Sequence, residues 1–160
     1  MQRLWAPWRM QYVADPDAQE CIFCTKPKQD QDEANYLLYR REAVFVMLNA
    51  FPYSNAHLMV APYRHTGDLA ELTPEEMGGL LAEARACVSL LGRTVNPHGF
   101  NLGMNIGRVA GAGFAGHLHL HIVPRWEGDT NFMPVLSDTR VLSEALHDTY
   151  GKLKAALERG

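Results

Sequence analysis

The sequence predicts an α+β fold in which an antiparallel sheet of about five strands is joined by one long helix and a C-terminal helix. Short apolar segments bounded by turn-like residues recur in both halves of the chain, and their short connections favour antiparallel pairing. One long segment between them has apolar residues at helical spacing, and a shorter one lies near the end. The 160 residues suffice for one well-buried domain and are few for two. We therefore expect a single domain without internal repeats.

The first part of the chain contains three predicted strands. Residues 1–20 are aromatic but aperiodic, and we expect them to form an arm that packs against another surface. A polar loop follows. The predicted strands are YLLYR at 36–40, AVFVMLN at 43–49 and HLMVAP at 57–62. The segment FPYSNA between the last two is typical of a hairpin loop.

The long helix has clear start and stop signals in LTPEEMGGLLAEARACVSLLG. Thr73 is the predicted N-cap, Pro74 takes the first helical position, and Glu76 completes a capping box. Gly92 is the predicted end. Cys87 lies in the apolar stripe, so we expect it to fill the core.

The second part of the chain repeats the alternation of strand and turn. A strand is predicted at 100–107, and a glycine-rich turn at 108–116 leads into the histidine-containing strand GHLHLHIVPRW at 116–126. A final helix is predicted from Val141 to Glu158, with leucines in phase. These elements complete the expected sheet.

Composition excludes several classes of protein. Apolar residues make up 47% of the chain, and the net charge of −3 provides no basic surface for nucleic acid. No apolar run approaches the length of a membrane span, the N-terminus lacks a signal-peptide pattern, and three cysteines argue against a disulfide framework. We expect a cytoplasmic protein with an arm at 1–20, a central domain at 21–126, and an extension at 127–160 whose helix packs on that domain.

Three histidines alternate in the last strand. Strand side chains point to opposite faces in turn, so His117, His119 and His121 share one face. The leucines between them fit a core, and the histidine face is expected to line something polar.

Two kinds of chemistry suit such a cluster: metal binding and nucleophilic catalysis. Neighbouring imidazoles disfavour each other's protonation, so at least one stays uncharged and able to act as a nucleophile or general base. The preceding segment GAGFAG can expose backbone N–H groups to an anion, with Gly113 and Gly116 as candidates for nucleotide binding. No carboxylate lies between Glu83 and Glu127, which favours attack on phosphorus over a metal site at this face.

The segment HLHLHIV resembles the signature of the histidine triad superfamily of nucleotidyl hydrolases and transferases. The segments at 44–65 and 99–107 are similar to the hairpin and strand that precede the triad in that superfamily, so the resemblance runs from about Cys21 to Trp126. The opening LWAPWRMQYV, the CIFC and the tail VPRWEGDTNFMPV resemble a bacterial branch of diadenosine tetraphosphate phosphorylases and hydrolases.

The resemblance implies roles for four histidines. His119 matches the nucleophile that forms a nucleotidyl-histidine intermediate, and His121 matches the histidine that contacts phosphate oxygens. His57 matches a fourth histidine of the site. His117 is implied either to orient His119 or to bind zinc.

The resemblance also implies the polar contacts of the nucleotide. Asn49 matches a residue that hydrogen-bonds the ribose hydroxyls, and Asn105 matches one that contacts the α-phosphate. Many relatives have Ser or Thr three residues before the first triad histidine, whereas this chain has Phe114. Either backbone amides alone hold the phosphate here, or the loop has another shape.

A structural zinc is implied by some bacterial members of the superfamily. They bind zinc through a CxxC, a histidine after the second strand, and the first triad histidine. The matching residues are Cys21, Cys24, His65 and His117. A Cys2His2 set suits closed structural zinc, although the CxxC alone is also compatible with two core cysteines. The chemistry expected at His119 requires no catalytic metal or organic cofactor.

The sequence thus predicts an enzyme that cleaves a phosphoanhydride of a dinucleoside polyphosphate, with water or inorganic phosphate as acceptor. A nucleoside phosphoramidase and a nucleotide-binding regulatory module are the alternatives. The resemblance also implies a homodimer or a higher homo-oligomer.

Overall fold

A computed structural model describes residues 20–129 and 143–160, and within them the predicted α+β class is confirmed. One sheet has the order β1-β2-β3-β5-β4, with every neighbouring pair antiparallel. The strands are β1 Leu37–Arg40, β2 Val44–Leu48, β3 Leu58–Pro62, β4 Gly99–Gly103 and β5 Leu120–Arg125. All but residue 20 of the predicted arm at 1–20 lies outside the described residues.

Within the described ranges, three α-helices accompany the sheet: α1 Ile22–Thr25, α2 Pro74–Val95 and α3 Leu146–Glu158. The predicted capping box of α2 is confirmed, since the Thr73 hydroxyl accepts from the Glu76 N–H at 3.2 Å and the Glu76 carboxylate accepts from the Thr73 N–H at 2.9 Å. No helix in the described ranges is long and apolar enough to cross a membrane.

The predicted end of α2 at Gly92 was wrong. The helix continues to Val95 and ends at Asn96, whose φ of 47° is left-handed. The last turn of α2 is bonded to α3, because the Arg93 guanidinium donates to the Ala156 carbonyl at 3.4 Å. The tertiary contact therefore overrides the glycine signal.

Three other boundaries also differ from the predictions. The C-terminal helix begins at Leu146 and not at Val141, because Ala145 is extended with ψ 145°; residues 141 and 142 lie outside the described ranges. The strand predicted at 100–107 leaves the sheet after Gly103. Regular pairing in the histidine strand starts only at Leu120.

Each face of the sheet carries an apolar cluster. One face packs against α2 and α3 to form the main core, which includes Leu120, Ile122 and the fully buried Cys87, as predicted. The other face carries the triad histidines beside a smaller apolar cluster. That cluster consists of Phe23, Leu37, Phe45, Met47, Met59 and Ala61. The triad histidines thus have an apolar cluster on one side, and the expectation that their face lines something polar stays a prediction.

Candidate active site

The hydrogen bond of His119 leaves the lone pair of the ring on Nε2. Its Nδ1 lies 2.9 Å from the His117 carbonyl oxygen. A carbonyl can only accept, so Nδ1 carries the hydrogen and Nε2 keeps its lone pair. The side chain is 6% exposed, and burial lowers its pKa, while the bond to the carbonyl opposes that shift. The ring is thus held uncharged with one defined nitrogen available.

His57 and His121 form a hydrogen-bonded pair whose tautomers are also determined. The Tyr53 backbone N–H donates to His57 Nδ1 at 3.0 Å, so the neutral ring carries its hydrogen on Nε2. That Nε2 lies 2.9 Å from His121 Nδ1 and donates to it. Neutral His121 must then carry its own hydrogen on Nε2. Its ring stands edge-on to that of His119, with 4.7 Å between centroids.

Asn49 lies beside this pair at the end of β2. Its side-chain oxygen accepts from the Phe51 N–H at 2.9 Å, and its amide nitrogen lies 3.4 Å from His57 Nδ1. The predicted ribose contact would use the same side chain. Asn49 therefore also braces the loop that carries Tyr53.

Asn105 connects the site to the glycine-rich turn. Its amide nitrogen donates to the Tyr53 hydroxyl at 3.3 Å and lies 3.5 Å from the Gly111 carbonyl. Tyr53 also belongs to the site, although the sequence does not predict it. Its ring centroid lies 4.6 Å from that of His57 and 5.3 Å from that of His121. An aromatic residue in a hairpin loop carries no signal for such a contact.

The glycine-rich turn bends where glycine is needed. Gly107 and Gly111 have φ of 81° and 87°, in the left-handed region. Gly113 is exposed, and an added Cβ there would meet nothing within 4 Å. Gly116 instead backs onto His65, where an added Cβ would lie 3.4 Å from the imidazole. Phe114 points inward and packs against the smaller apolar cluster.

Four side chains converge beside the triad. Within the described residues, the potential ligand atoms of this group all lie within 4.8 Å of one another; the group is Cys21, Cys24, His65 and His117. The two thiols each lie 3.5 Å from His117 Nδ1, and Cys24 Sγ lies 3.2 Å from His65 Nδ1. The sequence-predicted zinc ligands are thus brought together.

This donor set fits a tetrahedral metal ion. Tetrahedral zinc with ordinary bond lengths separates N from S by about 3.6 Å and two nitrogens by about 3.4 Å. The two imidazole Nδ1 atoms lie 3.4 Å apart, close to that value. His117 Nε2 lies 2.9 Å from the Pro62 carbonyl, so it carries the hydrogen and Nδ1 faces the thiols with a free lone pair. Burial lowers the pKa of His117 to about 4, which keeps the ring in the neutral form that a metal requires.

The HIT domain family model matches residues 30–128. The chain belongs to the HIT family. A relative from Mycobacterium tuberculosis named AP-4-A phosphorylase is 40% identical over 93% of this chain and 80% of its own length. An uncharacterised HIT-like protein of Methanocaldococcus jannaschii is 33% identical over 68% of this chain and 81% of its own.

Solved structures of the HIT family share the fold. A Zn-bound histidine triad family protein from Mycobacterium smegmatis superposes with a TM-score of 0.68 at 25% identity, covering 88% of this chain and 94% of the other. A histidine triad nucleotide-binding protein from Sulfolobus tokodaii gives 0.64 at 28% identity, with 87% and 93% covered. The family and the fold inferred from the sequence are thereby confirmed.

Proposed function

We propose that this HIT protein cleaves a phosphoanhydride bond of a diadenosine polyphosphate through a nucleotidyl intermediate on His119. The observation that carries the proposal is the His119 tautomer, because the bond from Nδ1 to the His117 carbonyl leaves Nε2 free for attack. The M. tuberculosis relative, named for phosphorolysis of a diadenosine tetraphosphate, supports this substrate class.

The first step is attack of His119 Nε2 on the α-phosphorus. An N–P bond forms, the bond from that phosphorus to the bridging oxygen breaks, and for diadenosine tetraphosphate the leaving group is ATP. The imidazole gains positive charge as the bond forms, and the His117 carbonyl stabilises the hydrogen that remains on Nδ1. ATP leaves as an anion, so the step needs no proton donor.

The histidine pair supplies a donor to the phosphate. With His57 donating to His121 Nδ1, a neutral His121 carries its hydrogen on Nε2 and would donate it to a phosphate oxygen. The backbone N–H of Tyr53 donates to His57 Nδ1 and so fixes the direction of this relay of hydrogen bonds, from His57 to His121. In the second step the acceptor attacks phosphorus, the N–P bond breaks, and His119 returns to its starting tautomer.

Four further residues are proposed to contact the nucleotide. Asn49, at the end of β2, would meet the ribose, and Asn105 would meet the α-phosphate while holding the turn through Gly111. Exposed Gly113 and Gly116 would present backbone groups to the phosphates. The hydrophobic side chain of Phe114 faces inward, which supports contact through the main chain in this turn.

Inorganic phosphate is the acceptor we favour. Product analysis with diadenosine tetraphosphate, with and without phosphate, tests this directly. Phosphate-dependent release of ADP and ATP is the expected result. Release of AMP and ATP without phosphate would identify a hydrolase. An absence of turnover in both conditions would contradict the substrate class and favour nucleoside phosphoramidates or a binding role.

We also propose that Cys21, Cys24, His65 and His117 hold a structural zinc. The tetrahedral spacing of the ligand atoms and the Zn-bound M. smegmatis protein support this assignment. Zinc would fix the N-terminal segment to the triad strand and takes no part in the transfer steps. Metal analysis of protein purified without chelators should find one zinc per chain, and its absence would overturn the assignment.

The exposed edge of the sheet supports a proposed dimer. β4 forms one edge of the sheet, and Leu102 and Ile106, on and just beyond it, are 49% and 45% exposed. We propose a homodimer that uses this edge, and sedimentation showing only single chains would contradict it. The cysteines of the described residues form no disulfide, which supports a proposed location in a reducing cytoplasm.

A further inference from the structure

Phe23 is one of the two residues between Cys21 and Cys24, the cysteines of the proposed zinc site. The turn that holds it is tight, with the Cys24 and Thr25 N–H groups both donating to the Cys21 carbonyl, at 2.9 and 3.1 Å. Its side chain is 1% exposed and points into the smaller apolar cluster on the histidine face. The turn that contains Cys21 and Cys24 thus places the aromatic ring of Phe23 beside the triad histidines.

The ring of Phe23 lies flat against the proposed nucleophile. Its centroid is 4.6 Å from that of His119 with an interplanar angle of 24°, a stacked arrangement. The His117 ring lies 5.2 Å away at 34°. The rings of His117 and His119 are therefore both in contact with one side chain from the CxxC turn.

We propose that Phe23 is a positioning residue for His119, and that the metal cluster acts on the nucleophile through this ring. The inference rests on the proposed function, since it gives a purpose to the orientation of His119. The Cys21–Cys24 turn is anchored at both ends by ligands, so the ring between them cannot move away without disturbing the cluster. The cluster therefore helps to aim Nε2 at the substrate as well as to stabilise the fold.

The His119 ring needs a second restraint because its hydrogen bond alone does not fix its orientation. The χ2 torsion of histidine has broad wells, and the bond from Nδ1 to the His117 carbonyl holds only one edge of the ring. A flat neighbour on the face of the imidazole resists rotation about χ2. Attack in line with the departing oxygen demands an orientation held to roughly 10–20°. Stacking by Phe23 supplies that restraint.

Phe114 extends the same arrangement. Its ring meets Phe23 edge-on, with 5.9 Å between centroids and an angle of 85°. Edge-to-face pairs of this kind are favourable beyond their buried area. The residue three positions before His117 thus buttresses Phe23 from the glycine-rich turn.

The test replaces the flat ring by an apolar side chain without a planar face. Phe23→Leu in the zinc-loaded protein is expected to slow formation of the nucleotidyl intermediate about tenfold, with KM for diadenosine tetraphosphate changed less than about twofold. Phe23→Tyr keeps the planar face and is expected to restore most of the rate. Phe45→Leu is the matched control, because Phe45 is equally buried in the same cluster, 6.5 Å from Phe23 by centroid. A rate loss in Phe23→Leu no greater than in Phe45→Leu would overturn the proposal.

A spectroscopic measurement separates this inference from the proposed function. Nitrogen-15 NMR of the His119 ring in the folded, zinc-loaded protein needs no substrate. The wild type and Phe45→Leu are expected to show hydrogen on Nδ1 alone and carbon-bound protons shifted upfield by the Phe23 ring. Phe23→Leu is expected to lose the upfield shift and to show a mixture of tautomers, with metal content unchanged. An unaltered His119 tautomer in Phe23→Leu would overturn the inference, because loss of the upfield shift alone follows from removal of the ring. A failure of every nucleotide substrate would overturn only the function.

Discussion

His117 and His119 lie two residues apart on the same face, yet they present opposite nitrogens to their surroundings. His117 gives the hydrogen on Nε2 to the Pro62 carbonyl and turns Nδ1 to the thiols. His119 gives the hydrogen on Nδ1 to the His117 carbonyl and leaves Nε2 for the substrate. Each tautomer is set by a carbonyl that can only accept.

One segment with alternating histidines, leading into β5, thus contributes to two proposed sites. The repeat of two brings the rings to one face, but the backbone acceptor beside each ring determines which nitrogen reacts. Phe23 contacts both rings and connects the two sites.

Replacement of the nucleophile is expected to have the largest effect. His119→Asn should lower turnover of diadenosine tetraphosphate about 10⁴-fold or more, because no other ring presents a free Nε2 to the phosphorus in this account. Nucleotide binding, measured by calorimetry, should persist. His147→Asn is the control, since His147 is exposed and 3.7 Å from Glu33. Turnover that survives in His119→Asn would break the assignment of the two roles.

Removal of a metal ligand is expected to act mainly on stability. Cys24→Ser should abolish zinc binding and lower the free energy of unfolding by about 4 kcal/mol when free zinc exceeds its Kd a thousandfold. Cys87→Ala removes the buried cysteine of the main core and should keep one zinc per chain. Metal analysis with denaturant unfolding of both variants checks this. Retained zinc and unaltered stability in Cys24→Ser would contradict the metal assignment.

The histidine pair is expected to contribute less than the nucleophile. His57→Phe removes the donor to His121 Nδ1 and should lower kcat about 10²-fold with a smaller change in KM. Tyr53→Phe removes only the hydroxyl that accepts from Asn105 and keeps the backbone N–H, so its effect on kcat should be less than about tenfold. Steady-state kinetics decides, and a larger loss in Tyr53→Phe would refute the proposed relay.

The smallest effect is expected from a change in the capping box of α2, which lies outside both histidine sites. Thr73→Ala should cost about 1 kcal/mol of stability, because the Glu76 N–H loses its acceptor. The values of kcat and KM should stay at those of the wild type, because the capping box lies outside the histidine sites. A lowered kcat would contradict this.

Glu76 adds a pH dependence with a defined sign. Hydrogen bonding from the Thr73 N–H and the Arg64 guanidinium lowers the pKa of Glu76 in the folded protein. The carboxylate therefore stabilises the fold above its usual value of 4.5, and this contribution is lost as the pH falls through the lowered pKa. Thermal unfolding from pH 6 to pH 3 should show a shallower decline for Glu76→Gln than for the wild type; equal declines would show that Glu76 does not contribute.

Much of this could be predicted from local sequence patterns. The alternation of His117, His119 and His121 placed them on one face, and the Thr73 and Glu76 pattern identified the start of α2. The CxxC with His65 and His117 predicted the metal cluster through family resemblance. These features depend on short spacings or on a motif already known in related chains.

The remainder depends on contacts between distant segments. Phe23 contacts His117 and His119, which lie 94 and 96 positions later, and no local pattern indicates which ring it will stack on. The end of α2 moved past Gly92 because Arg93 reaches the Ala156 carbonyl of α3. The tautomers of the histidines likewise depend on carbonyls whose positions only the folded chain defines.

Locating the covalent intermediate tests the central claim most directly. Zinc-loaded protein mixed with diadenosine tetraphosphate labelled in the adenosine, quenched within milliseconds and digested under alkaline conditions, gives peptides for mass spectrometry. Adenylate bound to His119, with His117 unlabelled, is the result that the opposite tautomers predict. Adenylate on His117 or His121, with His119 unlabelled, would contradict the account.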